Sequence, residues 1–428
     1  MQEKRGSFYN KIILMITCVT PLVYLPGRAD GFYFPKIFLI YILVCLMLLH
    51  TLHHSQPVKL PSLKQLKITE SLLLGYLILV VLSTIVSTDS TISIFGYPKR
   101  EEGLLAILAY AGVYYFVKSY FDFREKTIEY MLITGALVAA YGILQSYGVD
   151  PLPRDADRFT WSARAFSTIG NPNFLGSYLA LLIPFGSVFY IKYGKAKHLF
   201  LLGILYYALL VTYTRSAWLG TIFSILWIFF QTIRSKRNQW RQRLMIVTLL
   251  LATLTTVADY SLDGAIFGRF LTIGHDASKL VTDESNLDKL GSNRMFIWKR
   301  VVPLVYEKPM LGYGLETMGD VFDTYYHRDI IDEWGRLYRV DKAHNEYLHT
   351  AFSTGVPSVI LYLLFQIGCL LKSAKRTASS EMDIAISAAI GGYMIQSCFN
   401  ISVVSVAYML WFIYGLSERK TDKKWVSI

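Results

Sequence analysis

The residues best placed to do chemistry are His344 and Asn345, in DKAHNEYLHTAFSTG (341–355), where a polar run meets an apolar stretch ending at about Leu371. A neutral imidazole there can take a proton from a hydroxyl, since its ordinary pKa lies near neutrality. Asn345 can orient that ring or an incoming acceptor. Cations recur at comparable points: Lys99 and Arg100 in FGYPKREEG, Arg164 before IGNPNF, Arg215 in TYTRSAWLG and Arg294 in GSNRMFIWK. A guanidinium is a planar fork that donates two parallel hydrogen bonds to a phosphate. Taken singly, each arginine reads as a surface or snorkelling charge and His344–Asn345 as a helix cap. Taken together at membrane-entry points they imply an anion, because a cation near hydrocarbon is costly without one. The combined chemistry is proton removal from a hydroxyl beside a phosphate-type leaving group, with Glu307 and Asp341 as possible assistants. No carboxylate cluster is read as a metal site, so no metal or other cofactor is expected.

The elements that must position these residues follow from composition. Of 428 residues, 53% are hydrophobic and 15% aromatic, and the mean hydropathy is +0.37. Crossing a bilayer takes about 20 mostly apolar residues, and such runs recur along the chain. The expected fold class is therefore an all-α polytopic membrane protein forming a single integral membrane domain over 1–428. Twelve transmembrane helices are placed at about 10–27, 35–52, 69–87, 103–119, 127–148, 173–192, 198–213, 216–233, 244–262, 346–371, 382–399 and 401–416. The first apolar run lacks a small-residue cleavage site, so no cleaved signal peptide is expected. The net charge of +12 is read as basic loops on the cytoplasmic side, not as a nucleic-acid surface. Lys/Arg clusters between alternate spans then put both termini in the cytoplasm of a plasma-membrane protein.

The opposite face carries the loops 27–34, 89–102, 150–171 and 214–216, and one large extracytoplasmic loop, 263–343, between the ninth and tenth spans. Within it, NRMFIWKRVVPLV (293–305) predicts a short amphipathic helix with Met295, Trp298, Val301, Val302 and Val305 on one face and Pro303 tightening it. Cys18, Cys45, Cys369 and Cys398 fall in apolar segments and read as small core residues. His50, His53 and His54 read as a polar helix end. His349, five residues after His344, points to another side of the helix and makes no metal pair with it.

His344, Asn345 and Gly355 are spaced as His-Asn, nine residues, Gly, a pattern similar to the signature of the O-antigen ligase superfamily. The segments ISIFGYPKREEGL (92–104), STIGNPNFLGSYLALLIP (167–184), TYTRSAWLG (212–220) and NRMFIWKRVVPLVYEKPMLGYG (293–314) resemble the family's other landmarks in order, over about residues 80–416. The resemblance implies a metal-independent GT-C-type glycosyltransferase whose active site is on the extracytoplasmic face. The implied donor is a glycan on undecaprenyl pyrophosphate, and the acceptor a hydroxyl of a glycan, lipid or protein. It implies His344 as general base or acceptor-positioning group and Arg215 and Arg294 as pyrophosphate ligands. Arg164 is a weaker match, and Lys99, Arg100, Asn171, Trp298, Tyr313 and Asn345 form a second tier. Attack opposite the leaving group would invert the anomeric centre. An O-antigen or exopolysaccharide polymerase and a protein O-oligosaccharyltransferase are alternatives within the superfamily. A polysaccharide or lipid-linked oligosaccharide transporter is the alternative of another class, disfavoured by the scarcity of charges inside the spans.

Overall fold

The structure, a computed structural model, describes residues 2–26, 30–54, 66–98, 100–150, 164–235, 237–282, 288, 290–418 and 425–426. Among these it is all-helical, with one isolated parallel bridge, Arg124 to Val426. The helices are α1 (Gln2–Cys18), α2 (Phe34–His54), α3 (Ile68–Ile85), α4 (Ser90–Phe95), α5 (Leu104–Tyr120) and α6 (Glu125–Ser146). They continue with α7 (Pro172–Tyr193), α8 (Ala196–Val211), α9 (Arg215–Arg234), α10 (Asn238–Ser261), α11 (Ala265–Thr282) and α12 (Leu290–Glu307). The last are α13 (Met318–Trp334), α14 (Glu346–Thr354), α15 (Val356–Lys375), α16 (Glu381–Ser397) and α17 (Val404–Ser417). Among the described residues seven helices, α2, α3, α6, α7, α9, α10 and α15, are long and apolar enough to cross a membrane, and four further apolar helices are shorter.

The helix α7 is apolar all round and wholly enclosed, as a helix at the centre of a bundle must be. Asn171 caps its start by accepting from the Asn173 N–H (2.8 Å), Pro172 takes the first-turn position that needs no N–H, and Gly194 closes it with φ 65°. Around it pack α8, α9, α16 and α17. By contrast α10 is largely uncovered: Met245, Leu249 and Tyr260 are exposed. It forms a rim of the bundle.

One expected span is broken. Residues 346–371 are two helices, α14 and α15, meeting at Gly355 with φ 88°. A Cβ there would lie 2.1 Å from the Met310 carbonyl oxygen, so only glycine fits. The break lets the segment 309–314 lie along the end of α14: Tyr313 N–H donates to Phe352 O (2.9 Å), Gly314 N–H to Ser353 O (2.9 Å) and Val356 N–H to Pro309 O (2.8 Å). His344 thus precedes a nine-residue helix and not the mouth of a long one.

The segment 263–343 is itself largely helical. In α12 the residues Gly291, Ser292 and Asn293 are left-handed, so regular helix begins at Arg294. Its buried face is Phe296, Ile297, Val301 and Leu304, whereas Val302 is 40% exposed. The expected face is therefore rotated. The helix packs into a second small core with Phe322, Phe352 and Trp334, and the large Phe296 ring decides which side turns inward.

Candidate functional site

Arg215 starts α9, one turn after α8 ends, so the 212–215 link holds it with little slack. Its guanidinium donates to Thr272 Oγ1 (3.0 Å) on α11 and to Ser292 Oγ (3.0 Å) in the left-handed start of α12. Arg164 donates from Nε to Thr212 O (2.9 Å) and from Nη2 to Asn173 Oδ1 (3.2 Å), which ties the loop before α7 to the same link. Arg294 makes no hydrogen bond or ion pair among the described residues.

A fourth cation, Arg269 of α11, joins them. Burial lowers the Arg294 pKa to about 10, helped by the neighbouring charges of Arg215 and Arg269. Burial does the same to Arg164, to about 10, with Arg269 as the further cause. No carboxylate enters either balance. Four guanidiniums from four segments repel one another in a partly desolvated place, an arrangement that a polyanion would relieve. Arg269 was not singled out in the sequence. The available signal was a cation inside the apolar run AIFGRFLTI.

His344 lies beside this cluster, in a left-handed conformation (φ 49°). Its pKa is lowered to about 4, first by burial, then by Arg294; Arg100 and Lys342 add to this and Asp341 opposes it. The ring is therefore neutral at physiological pH, and it makes no hydrogen bond among the described residues. Trp298 Nε1 donates to Ala343 O (2.7 Å), so the indole fixes the peptide next to His344.

Several expected site residues have other tasks. Asn345 Oδ1 accepts from Tyr347 N–H (3.1 Å) and Leu348 N–H (3.0 Å), capping α14. Its carbonyl is committed to the backbone, as in the plainer sequence reading. Arg100 donates through Nε (3.1 Å) and Nη2 (2.8 Å) to Asp341 Oδ2. That pairing holds the Asp341 carboxyl below its usual pKa, although burial pushes the other way. Neither group is free for a phosphate or a proton. Glu307 accepts from the Tyr325 hydroxyl (2.8 Å). Tyr313 is buried, stacked on Phe352, with the Lys308 ammonium 4.4 Å from its ring centre, which makes it a packing residue. Asn171 is the cap of α7. Lys99 lies outside the described residues.

Beside the cluster an apolar cleft of about 410 Å³ runs between α8, α9, α10 and α11, lined in part by Trp218, Ile222, Phe267 and Phe270. Trp218 and Phe270 stack across it at 6.1 Å. Among the described residues no group of three His, Cys, Asp or Glu side chains is arranged to hold a metal ion. The Asp155–Ala156–Asp157 stretch, which the sequence reading passed over, lies outside the described residues.

No curated protein matches the chain. Residues 198–363 match the family model described as O-antigen ligase. That interval runs from α8 into α15 and contains Arg215, Arg269, Arg294 and His344. On this match the part of the chain from α8 into α15 is similar to the O-antigen ligase family, whose model covers less than half of the chain.

Proposed function

We propose that the protein transfers a glycan from a polyprenyl pyrophosphate donor, undecaprenyl pyrophosphate in a bacterial plasma membrane, to an acceptor hydroxyl, as an O-antigen ligase-like enzyme. The observation that carries this reading is the convergence of Arg164, Arg215, Arg269 and Arg294 beside a neutral His344. In the reaction the acceptor oxygen forms a bond to the anomeric carbon while the bond to the pyrophosphate oxygen breaks. His344 takes the acceptor's proton, and the arginines hold the charge that develops on the leaving group. Attack from the face opposite the pyrophosphate inverts the anomeric centre. The apolar cleft between α8 and α11 suits the polyprenyl tail.

The reading includes twelve spans, both termini in the cytoplasm, and a 263–343 segment on the extracytoplasmic face with the site. Because the arginines supply the compensating charge, transfer is expected to survive excess EDTA. Loss on chelation with recovery by magnesium or manganese would direct attention to Asp155 and Asp157. The deciding assay is purified protein in vesicles with a lipid-pyrophosphate glycan and a panel of hydroxyl acceptors, read by mass. A single added glycan supports a ligase; a ladder that retains the lipid supports a polymerase; no transfer to any acceptor overturns the reading.

A further inference from the structure

A cavity of about 90 Å³ has in its wall Lys342 and His349, both of which interact electrostatically with His344, and it has room for several waters at roughly 10–15 Å³ each. It is lined from five helices and four connecting segments, and it is charged. Lys342 and Glu316 form an ion pair in its wall, with both side chains almost wholly buried. The Lys342 ammonium is also 3.4 Å from His349 Nε2. Glu102, just before α5, accepts from the Tyr110 hydroxyl (3.0 Å). Glu346 of α14 is already saturated by the hydroxyls of Tyr362 (2.8 Å), Tyr393 (2.9 Å) and Ser397 (3.1 Å). Tyr76 of α3 faces the same space. Three buried polar atoms in the wall, His349 Nδ1, Ser353 Oγ and Ser402 Oγ, have no partner among the described residues, and Ser353 is 1% exposed. Orphaned polar atoms around a cavity of this size call for water.

The reaction needs an exit for a proton. Once His344 has taken it, the imidazolium stands near Arg294, Arg100 and Lys342, so it cannot remain charged. Arginine and lysine ammonium groups cannot accept a proton. Asp341 is held by Arg100. What remains is the cavity.

Building on the proposed transfer reaction, we infer that this chamber is a hydrated proton relay, in which waters ordered by Glu316, Lys342, His349 and Ser353 carry the acceptor's proton from His344 to Glu102. The step balances: the acceptor O–H loses its proton to one ring nitrogen, the other ring N–H releases one to water, and the Glu102 carboxylate receives it before passing it to solvent. These chamber residues act through His344 and are positioning residues, not catalytic ones.

Burial, with Glu316 nearby, pushes the Glu102 carboxyl up to about 8. It accepts only when ionised, so kcat of the wild type should rise as pH passes through about 8, whereas His344 is neutral across that range. In vesicles with donor and acceptor, Glu102→Gln should lose that limb and about tenfold in kcat near pH 8, with donor KM unchanged. Added imidazole, a diffusible base, should restore rate to Glu102→Gln and leave the wild type unaffected. A wild-type profile flat through that pH overturns the relay, even where the variant fails to fold. So does a Glu102→Gln enzyme that matches the wild type, or one whose loss is equal at every pH and unrescued. A wild type that transfers nothing overturns the reaction itself, and is told apart from these by that blank.

Discussion

Arg294 is half-buried among like charges and makes no hydrogen bond or ion pair among the described residues, so its position is explained by an anion bound there. Replacing it with alanine should relieve repulsion and leave the fold intact or firmer, while kcat falls about 10²–10³-fold, the loss typical of one donor to a developing charge. Lysine should recover little, because it cannot reproduce the bidentate fork. Arg269→Ala should behave alike, with weakened donor binding measured by titration of the lipid pyrophosphate; unchanged binding would remove Arg269 from the site. For His344, glutamine keeps polarity without basicity, and turnover should drop about 10²–10⁴-fold with donor affinity retained. Near-normal turnover in His344→Gln would leave it only a structural residue of the loop. Its folded pKa lies below the ordinary histidine value. Its contribution to stability is therefore present above the unfolded pKa and is lost as pH falls through about 6.5 towards about 4. His344→Gln should flatten that part of the melting-temperature profile.

At the scale of elements, the Trp298 indole is what keeps the 343–344 peptide in place. Trp298→Phe preserves the packing surface and deletes the N–H, and kcat should fall roughly 10- to 10²-fold through a displaced His344, with donor KM little changed. A loss confined to KM would show that the indole touches the donor instead. Apolar segments were legible in the sequence because hydropathy over a long window is a strong signal; among the described residues seven helices are long and apolar enough to cross a membrane and four further apolar helices are shorter. The break at Gly355 was not legible. It depends on the Met310 carbonyl, 45 residues away in the chain, approaching too closely for any side chain. The face of α12 was misjudged because periodicity cannot tell a helix resting on a lipid surface from one packed on α13 and α14. The site followed the same division. His344, Arg215 and Arg294 stood out by residue type and placement, but the tasks of Asn345, Arg100 and Tyr313 depend on partners far off in the chain. Arg269 sits in the second turn of α11 within an apolar run and showed no spacing that marked it.

At the scale of the molecule, topology decides whether the site and the donor share a side of the membrane. In a background free of the native cysteines, Tyr338→Cys should react with an impermeant maleimide in intact cells and Asn238→Cys only after lysis. The reverse pattern would move the arginines to the cytoplasm and end the proposed reaction. Both test positions are exposed.

The placement of the arginine cluster beside the loosely covered α10–α11 rim has a kinetic consequence. With Leu249, Phe267 and Leu271 turned outward at that rim, a donor arriving there diffuses in two dimensions. Its effective concentration is its mole fraction among the surrounding lipids. Adding inert phospholipid to vesicles at constant bulk donor should slow transfer by surface dilution. Diluting the vesicles themselves with buffer, at saturating acceptor, should leave the turnover per enzyme unchanged.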